Sequence, residues 1–341
     1  MIEPLIALPI LADVLLLLQI LKENSFFKYD GSFCSPASII VPIRGEDPGL
    51  ELNVNSLKNQ DFPCSYDIIY VVDPDQPWLA ERLKSLGVKV VVSQGDCSCS
   101  GKIKAQLSGI REASNPVIVF ADSDTFYPRR WLREMVRNLD KYTAVTTFSW
   151  PDPVKMSLRN LIRAGFWTLG FESQALGGTF LWGGSMAFRR DFIDNEVIDE
   201  LSKEWCDDCT LTRIVKMRGG RIAFNGLAIP LNVYDERDIG RWSARQVVTI
   251  VKYSNRGAKA FLVIGSFMIS FILLFALSLQ WIYLTPLLLW IAKNLSRSRY
   301  LGKKSIIPSL ASILGLFFGW VTLIANFRRR KVVWRDVSYD L

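Results

Sequence analysis

"VFADSDTFYPRR", residues 119–130, decides how this chain is read. An apolar run from Val117 to Ala121 stops at Asp122-Ser123-Asp124. A short apolar segment rich in β-branched residues suits a strand buried on both faces. The two carboxylates at its end have two readings. They form an acidic turn that caps a following helix, or they seat a divalent cation and the diphosphate it carries.

The same pattern recurs around this segment. "ASIIVP" (37–42), "DIIYVVD" (67–73), "VKVVVS" (88–93), "PVIVFAD" (116–122) and "AVTTFSW" (144–150) read as strands. Helical candidates lie between them near 48–59, 76–86, 102–112 and 129–140. This alternation predicts an α/β fold with a mostly parallel, Rossmann-like sheet. Ligands of such sheets bind at the carboxyl ends of the strands. The first end carries "PIRGED" (42–47) with Arg44, the second carries Asp73, and the third leads to Lys102. Asp122 and Asp124 close the next. Taken singly, each is a turn, a cap or a solvated charge. Together they place three carboxylates and two cations on one rim, a set that suits a nucleoside diphosphate sugar. Asp73 and Asp122 accept hydrogen bonds from base and ribose, and Asp122 and Asp124 hold Mg²⁺ or Mn²⁺, hard cations that prefer oxygen ligands. No Walker-type glycine loop is present, which disfavours simple ATP hydrolysis.

Composition narrows the chemistry. The 341 residues contain no histidine, which excludes histidine bases, histidine metal ligands and serine–histidine triads. The formal net charge is +8. Much of the excess flanks apolar segments, at Lys22, Lys28, Arg241, Arg245, Lys252, Arg256 and the run Arg328-Arg329-Arg330-Lys331. That placement suits an anionic membrane surface rather than nucleic acid. Six cysteines include Cys97-x-Cys99 and Cys206-x-x-Cys209. In a cytosolic domain these read as reduced thiols in loops rather than as zinc ligands or disulfides.

Residues 4–21 are apolar enough to cross a bilayer, which takes ~17–25 residues. Asp13 sits mid-span, but the Leu, Ile and Val around it outweigh its cost. No charged residue occurs from Ala260 to Ala292, where Gln280 and Pro286 predict a hairpin or re-entrant break. Ile306 to Ala325 forms a further span. The charge bias places the N-terminus outside and the catalytic domain in the cytoplasm. In "PVKMSLRNLIRAGFWTLG" (153–170) and "RWSARQVVTIVKYSNRG" (241–257), apolar and basic positions segregate as on interfacial helices.

These residues resemble family 2 glycosyltransferases of the GT-A fold, and among them the ceramide glucosyltransferase group. "VPIRGEDPGL" (41–50) is similar to that group's first strand and turn, "VVDPDQP" to its first aspartate motif, and "FADSD" to its Asp-x-Asp-like motif. "GGTFLWGGSMAFRRD" (177–191), "CDDCTLTRIVKMRGGRIAF" (206–224) and the tail "WRDVSYDL" (334–341) follow in the group's order. The resemblance implies that Asp208 is the catalytic base. It also implies that Pro42, Arg44, Glu46, Asp73, Lys102, Asp122 and Arg241 bind the nucleotide sugar. Asp122 and Asp124 would hold the metal, and Gly184, Ser185, Asp207 and Trp242 would lie on the acceptor side. Read from the residues alone, Asp207 and Asp208 equally suit capping of the helix they open. One departure stands out: in "DIGRW" (238–242), Asp238 occupies the place of the group's usual Gln or Arg.

The resulting expectation is an inverting, metal-dependent transferase that moves a hexose from a UDP-sugar to a membrane lipid hydroxyl. The expected parts are an N-terminal anchor (1–24), a GT-A domain (35–235), an interfacial Arg-Trp helix (236–258), C-terminal transmembrane helices (259–327) and a basic tail (328–341). A polyprenyl-phosphate or polysaccharide-forming enzyme of the same superfamily is the first alternative, and an inactive membrane scaffold the second.

Overall fold

The computed structural model describes residues 3–27, 31–175, 180–334 and 337–340. In chain order its elements begin with α1 (Ala7–Glu23), β1 (Ala37–Ile43), α2 (Leu50–Lys58), β2 (Tyr66–Val72), α3 (Pro77–Ser85), β3 (Lys89–Val92) and α4 (Gly101–Glu112). Next come β4 (Val117–Ala121), β5 (Thr125–Phe126), α5 (Trp131–Val136), β6 (Ala144–Thr146), β7 (Trp150–Pro153), α6 (Leu158–Ala175) and β8 (Ser185–Arg189). They continue with α7 (Asn195–Leu201), α8 (Asp207–Met217), β9 (Ile222–Phe224), β10 (Leu231–Tyr234), α9 (Ile239–Tyr253) and α10 (Asn255–Ser278). The last are α11 (Thr285–Ser296), α12 (Ser298–Leu301), α13 (Ile306–Asn326), β11 (Lys331–Trp334) and β12 (Val337–Asp340).

The chain divides into two compact units. A sheet unit comprises residues 26–150 and 177–234, and a helical unit comprises 1–25, 151–176 and 235–341. Residues 151–176 therefore leave the stretch that the sequence groups as one domain over 35–235. They join the apolar helices because α6 buries its small residues there, as shown below.

In the sheet unit seven strands lie in the order β3-β2-β1-β4-β8-β6-β9. β3, β2, β1 and β4 are parallel, and β8 runs antiparallel to both its neighbours, β4 and β6. The continuous β-branched runs explain the centre: β1 and β4 are buried almost throughout because helices cover both faces. Leu50, Val54, Leu57, Trp131 and Leu132 pack one face, and Ile103, Ile110, Leu211 and Val215 the other. The reversed strand β8 falls in "SMAFR", where Ser185 and Arg189 interrupt the apolar run that marks the other strands.

All six cysteines pair, as Cys34–Cys64, Cys97–Cys99 and Cys206–Cys209, with Cα separations of 6.3, 5.2 and 5.4 Å. This corrects the expectation of free thiols. The parallel register of β1 and β2, with Ala37 beside Tyr66, brings Cys34 next to Cys64. The other two pairs close on themselves, which leaves no four-sulfur zinc set.

In the helical unit, α10 and the segment Gly302–Asn326 are long and apolar enough to cross a membrane. α10 leaves Val263, Phe267, Leu273 and Leu277 exposed, as a lipid-facing helix would. The predicted break appears after Ser278: Leu279 adopts a left-handed conformation (φ 55°) and α11 restarts with Pro286 in its first turn. α6 packs along α13 through glycines. A Cβ on Gly165 would lie 2.0 Å from the Ala311 carbonyl oxygen, so only glycine permits this approach. In 153–170, Phe166 and Leu169 pack against Gly319 of α13, whereas Val154, Met156 and Leu158 stay exposed. α1 and α11 run side by side in the same direction. Thr285 donates to Asp13 at 2.6 Å, Lys293 to Gln19 at 2.9 Å, and Arg297 to Glu23 at 3.1 Å. Glu172 of α6 completes the network by pairing with Lys293 and Arg297. Of the tail motif 334–341, Arg335, Asp336 and Leu341 lie outside the described residues.

Candidate functional site

β4 ends at Ala121, and the next element is the short strand β5 rather than a helix. α5 starts later, with Arg130 at its N-cap, so Asp122 and Asp124 cap nothing. Their turn is held from several sides. The Asp122 N–H donates to the Tyr127 hydroxyl at 2.7 Å. Asn53, buried in α2, donates its amide to the carbonyls of Asp122 (3.0 Å) and Thr125 (2.5 Å), and accepts from the buried Tyr70 hydroxyl at 2.6 Å. Ser123 donates to Asp47 at 2.6 Å. With backbone and serine fixed in this way, Asp122 turns to Lys102 and Asp124 accepts from the Thr125 hydroxyl at 3.2 Å.

α4 opens with Ser100 as N-cap, whose hydroxyl accepts from the Ile103 N–H. That cap aims Lys102, in the first turn, back toward the strand ends. Lys102 Nζ lies 2.9 Å from Asp122 and 3.2 Å from Asp207. Asp207 and Asp208 open α8, but the N-cap is Cys206 and its side chain makes no capping bond. Asp207 instead accepts from Gln106 at 2.7 Å, and Asp208 accepts from the Gly183 N–H at 2.8 Å. Both side chains thus reach across to other elements, while Asp208 also accepts from the Cys209 N–H in the first turn of its own helix.

The charges perturb one another. Burial raises the Asp208 carboxyl, Asp207 adds to the effect, and Lys102 opposes it; the group is pushed up to about 7. Burial likewise raises Asp122, against the pull of Lys102. Burial works to lower the Lys102 ammonium, yet Asp122, Asp207 and Asp208 outweigh it and hold it above its ordinary value. A carboxylate poised near neutrality suits a general base in a chain without histidine.

Further along the rim, Arg44 pairs with Asp73 and lies 3.0 Å from Asp75, while Ser93 donates to Asp73 at 3.1 Å. The β1–β2 register, with Ile43 beside Val72, accounts for the pairing of the two residues that follow. Pro42 occupies the end of β1 opposite Val71. Glu46 turns outward to an exposed pair with Arg82 and does not join the acids. A Cβ on Gly184 would lie 2.3 Å from the Trp182 ring and 2.4 Å from Asp122 Oδ2, so the position suits glycine. Ser185 is buried and its hydroxyl accepts from the Trp131 indole N–H at 2.6 Å, so it serves the scaffold.

Arg241 and Trp242 belong to the helical unit, in the first turn of α9. Asp238 caps that helix by accepting from the Arg241 N–H at 2.9 Å, which gives the departing residue a local role. Trp242 is buried with its ring centroid 5.2 Å from Phe166 and 5.5 Å from Trp167, under the Arg163 guanidinium.

Asp47, Asn53, Gln106, Tyr127 and Gly183 escaped the sequence reading. Gln106 alone left a usable sign, standing four residues after Lys102 and so on the same helical face.

The set offers oxygen donors in excess of cations: Asp122, Asp124, Asp207 and Asp208 against Lys102. Hard divalent cations match such donors.

The family model for glycosyl transferase family 21 matches residues 5–341. The chain belongs to glycosyl transferase family 21. Within the GT-A, family 2-type fold the resemblance is thereby narrowed to one family. No curated protein matches this family 21 chain. Among solved structures it is similar to a mannosyltransferase from Pyrobaculum calidifontis in complex with GDP-mannose and Mn²⁺. That match has 16% identity and a TM-score of 0.54, and covers 96% of this chain and 99% of the other. It supports the α/β GT-A architecture. Glucosyl-3-phosphoglycerate synthase from Mycobacterium tuberculosis, in complex with Mn²⁺, UDP and phosphoglyceric acid, matches at 17% identity over 64% of this chain and 78% of the other. Its TM-score is 0.42.

Proposed function

We propose that this family 21 chain is a membrane-anchored, inverting, metal-dependent glycosyltransferase. It transfers a hexose, glucose by its ceramide glucosyltransferase-like motifs, from a UDP-sugar to a membrane lipid hydroxyl. The observation that carries the reading is the meeting of Asp122, Lys102, Asp207 and Asp208 at the carboxyl edge of the sheet. The apolar helices of the same chain supply the membrane context.

Asp208 removes the proton from the acceptor hydroxyl as its oxygen bonds to the anomeric carbon. The bond from that carbon to the diphosphate breaks on the opposite face, so the configuration inverts and UDP leaves. Asp122 and Asp124 would hold the Mg²⁺ or Mn²⁺, which when bound neutralises charge on the diphosphate. Lys102 adds positive charge beside it. Arg44 and Asp73 mark the nucleoside end of the rim. The basic residues around α1 and α9 favour a multi-pass protein with its sheet unit in the cytoplasm.

A transfer assay with UDP- and GDP-sugars on total lipid extract, with and without Mn²⁺, tests the proposal. A single hexose on lipid from UDP-glucose, lost in Asp208→Asn while Mn²⁺-dependent UDP binding survives, is the expected result. No transfer from any sugar, or polymeric product, overturns it.

A further inference from the structure

Gln106 is almost fully buried in the first half of α4, one turn beyond Lys102. Its amide nitrogen donates to Asp207 Oδ2 at 2.7 Å, while its carbonyl oxygen is buried without a hydrogen-bond partner among the described residues. A buried amide half satisfied in this way is uncommon and costs stability. Turning the amide over would bring its oxygen against a carboxylate, so Asp207 sets the orientation and the carbonyl bears the cost. Lys102 approaches the same Oδ2 atom at 3.2 Å. Two donors from one face of α4 thus fix a single oxygen of Asp207.

We propose that Gln106 is a positioning residue for sugar transfer: with Lys102 it ties Asp207 to α4, so that Asp208, held by the Gly183 N–H, is the member of the acid pair left to serve as base. The inference rests on the reading of Asp208 as that base. Asp207 and Asp208 are consecutive at a helix start, and whichever side chain is tied to α4 leaves the other for the acceptor. A loosened Asp207 would compete for Lys102 and move the first turn of α8, and a displacement of about 1 Å at a reacting group is enough to cost up to about 100-fold in rate.

The test replaces Gln106 with Leu and, separately, with Met. Both approximate its volume and neither can donate. With the sugar that supports wild-type turnover, kcat is expected to fall about 10- to 100-fold, while KM for the nucleotide sugar and Mn²⁺-dependent UDP binding stay within about threefold. A folded variant with kcat within about twofold of wild type overturns the proposal. So does loss of UDP binding or of folding in both variants, because Gln106 would then be structural. Turnover retained by Asp208→Asn sinks the base assignment separately, and with it the premise.

Discussion

The Lys102 ammonium lies 2.9 Å from the Asp122 carboxylate, closing a contact between the start of α4 and the end of β4. It touches both the Asp-Ser-Asp turn and the acid pair of α8. Asp122 is already raised by burial with Lys102 in place. Lys102→Met is therefore expected to weaken Mn²⁺-dependent UDP binding by about tenfold or more, at roughly 1.4 kcal/mol per decade, and to lower turnover further. Calorimetric titration with UDP and Mn²⁺ measures the first effect. Unchanged affinity would show that Lys102 balances the acids without meeting the donor.

Asp208 has a folded-state value of about 7, above the ~3.9 of an unfolded aspartate. As base it must be ionised, so kcat/KM should rise about tenfold per unit of pH below 7 and level off above it. An acid limb near pH 4 would contradict the assignment.

The same shift acts on stability. Between pH about 4 and about 7 the folded chain holds a proton that the unfolded chain has released, so this group makes stability fall as pH rises through that window. Asp208→Asn removes the effect. Its melting temperature without metal or nucleotide should match wild type at pH 4 and exceed it by several degrees at pH 7 and above. A gap of opposite sign in a pH series of thermal melts would refute the raised value.

The Tyr127 hydroxyl accepts from the Asp122 N–H and donates to the Gly184 carbonyl at 2.8 Å, joining two loops of the site. Tyr127→Phe leaves both groups short of a partner. A loss of about 1–3 kcal/mol in denaturant unfolding is expected, with reduced Mn²⁺-dependent UDP binding. A neutral variant would mean that the loops are held by Asn53 and Asp47 alone.

In the helical unit, Arg297 is buried between Glu23 and Glu172. Arg297→Met strands Glu23 and leaves Glu172 with Lys293, and should cost about 3–5 kcal/mol. Adding Glu23→Gln should recover part of that, because Glu172 keeps Lys293. Thermal unfolding in detergent compares the single and double variants, and additive losses would argue that the network is not coupled. Gly165→Ala should be worse than either. Its methyl group meets backbone at Ala311, so no rotamer relieves the clash, and folded yield should collapse.

Much of the sheet was legible because its strands are buried on both faces and must be apolar throughout. β3, β4 and β6 fall within the segments read as strands, β1 and β2 overrun theirs by one residue, and α2, α3 and α4 lie within about two residues of theirs. β8 was not legible, since "SMAFR" carries no β-branched run and its antiparallel place between β4 and β6 is set by the fold. Glu46 illustrates the same limit at the site. It shares a turn with Arg44 and Asp47, yet its side chain leaves the rim for Arg82, a partner 36 residues away.

Local chemistry therefore determined what stands at the strand ends: alternation of apolar runs with helices sends Arg44, Asp73, Lys102 and Asp122 to one edge, and the absence of histidine leaves a carboxylate as the natural base. Tertiary structure decided which contacts each acid makes. Asp207 and Asp208 are the same residue type at adjacent positions, and only contacts with Gln106, Lys102 and Gly183 distinguish them. Likewise, nothing local to "LRNLIRAGFW" reveals that Gly165 is reserved for the backbone of α13. Sequence patterns report the surroundings of a segment averaged along its length, whereas pairings between distant side chains depend on where the folded chain brings them.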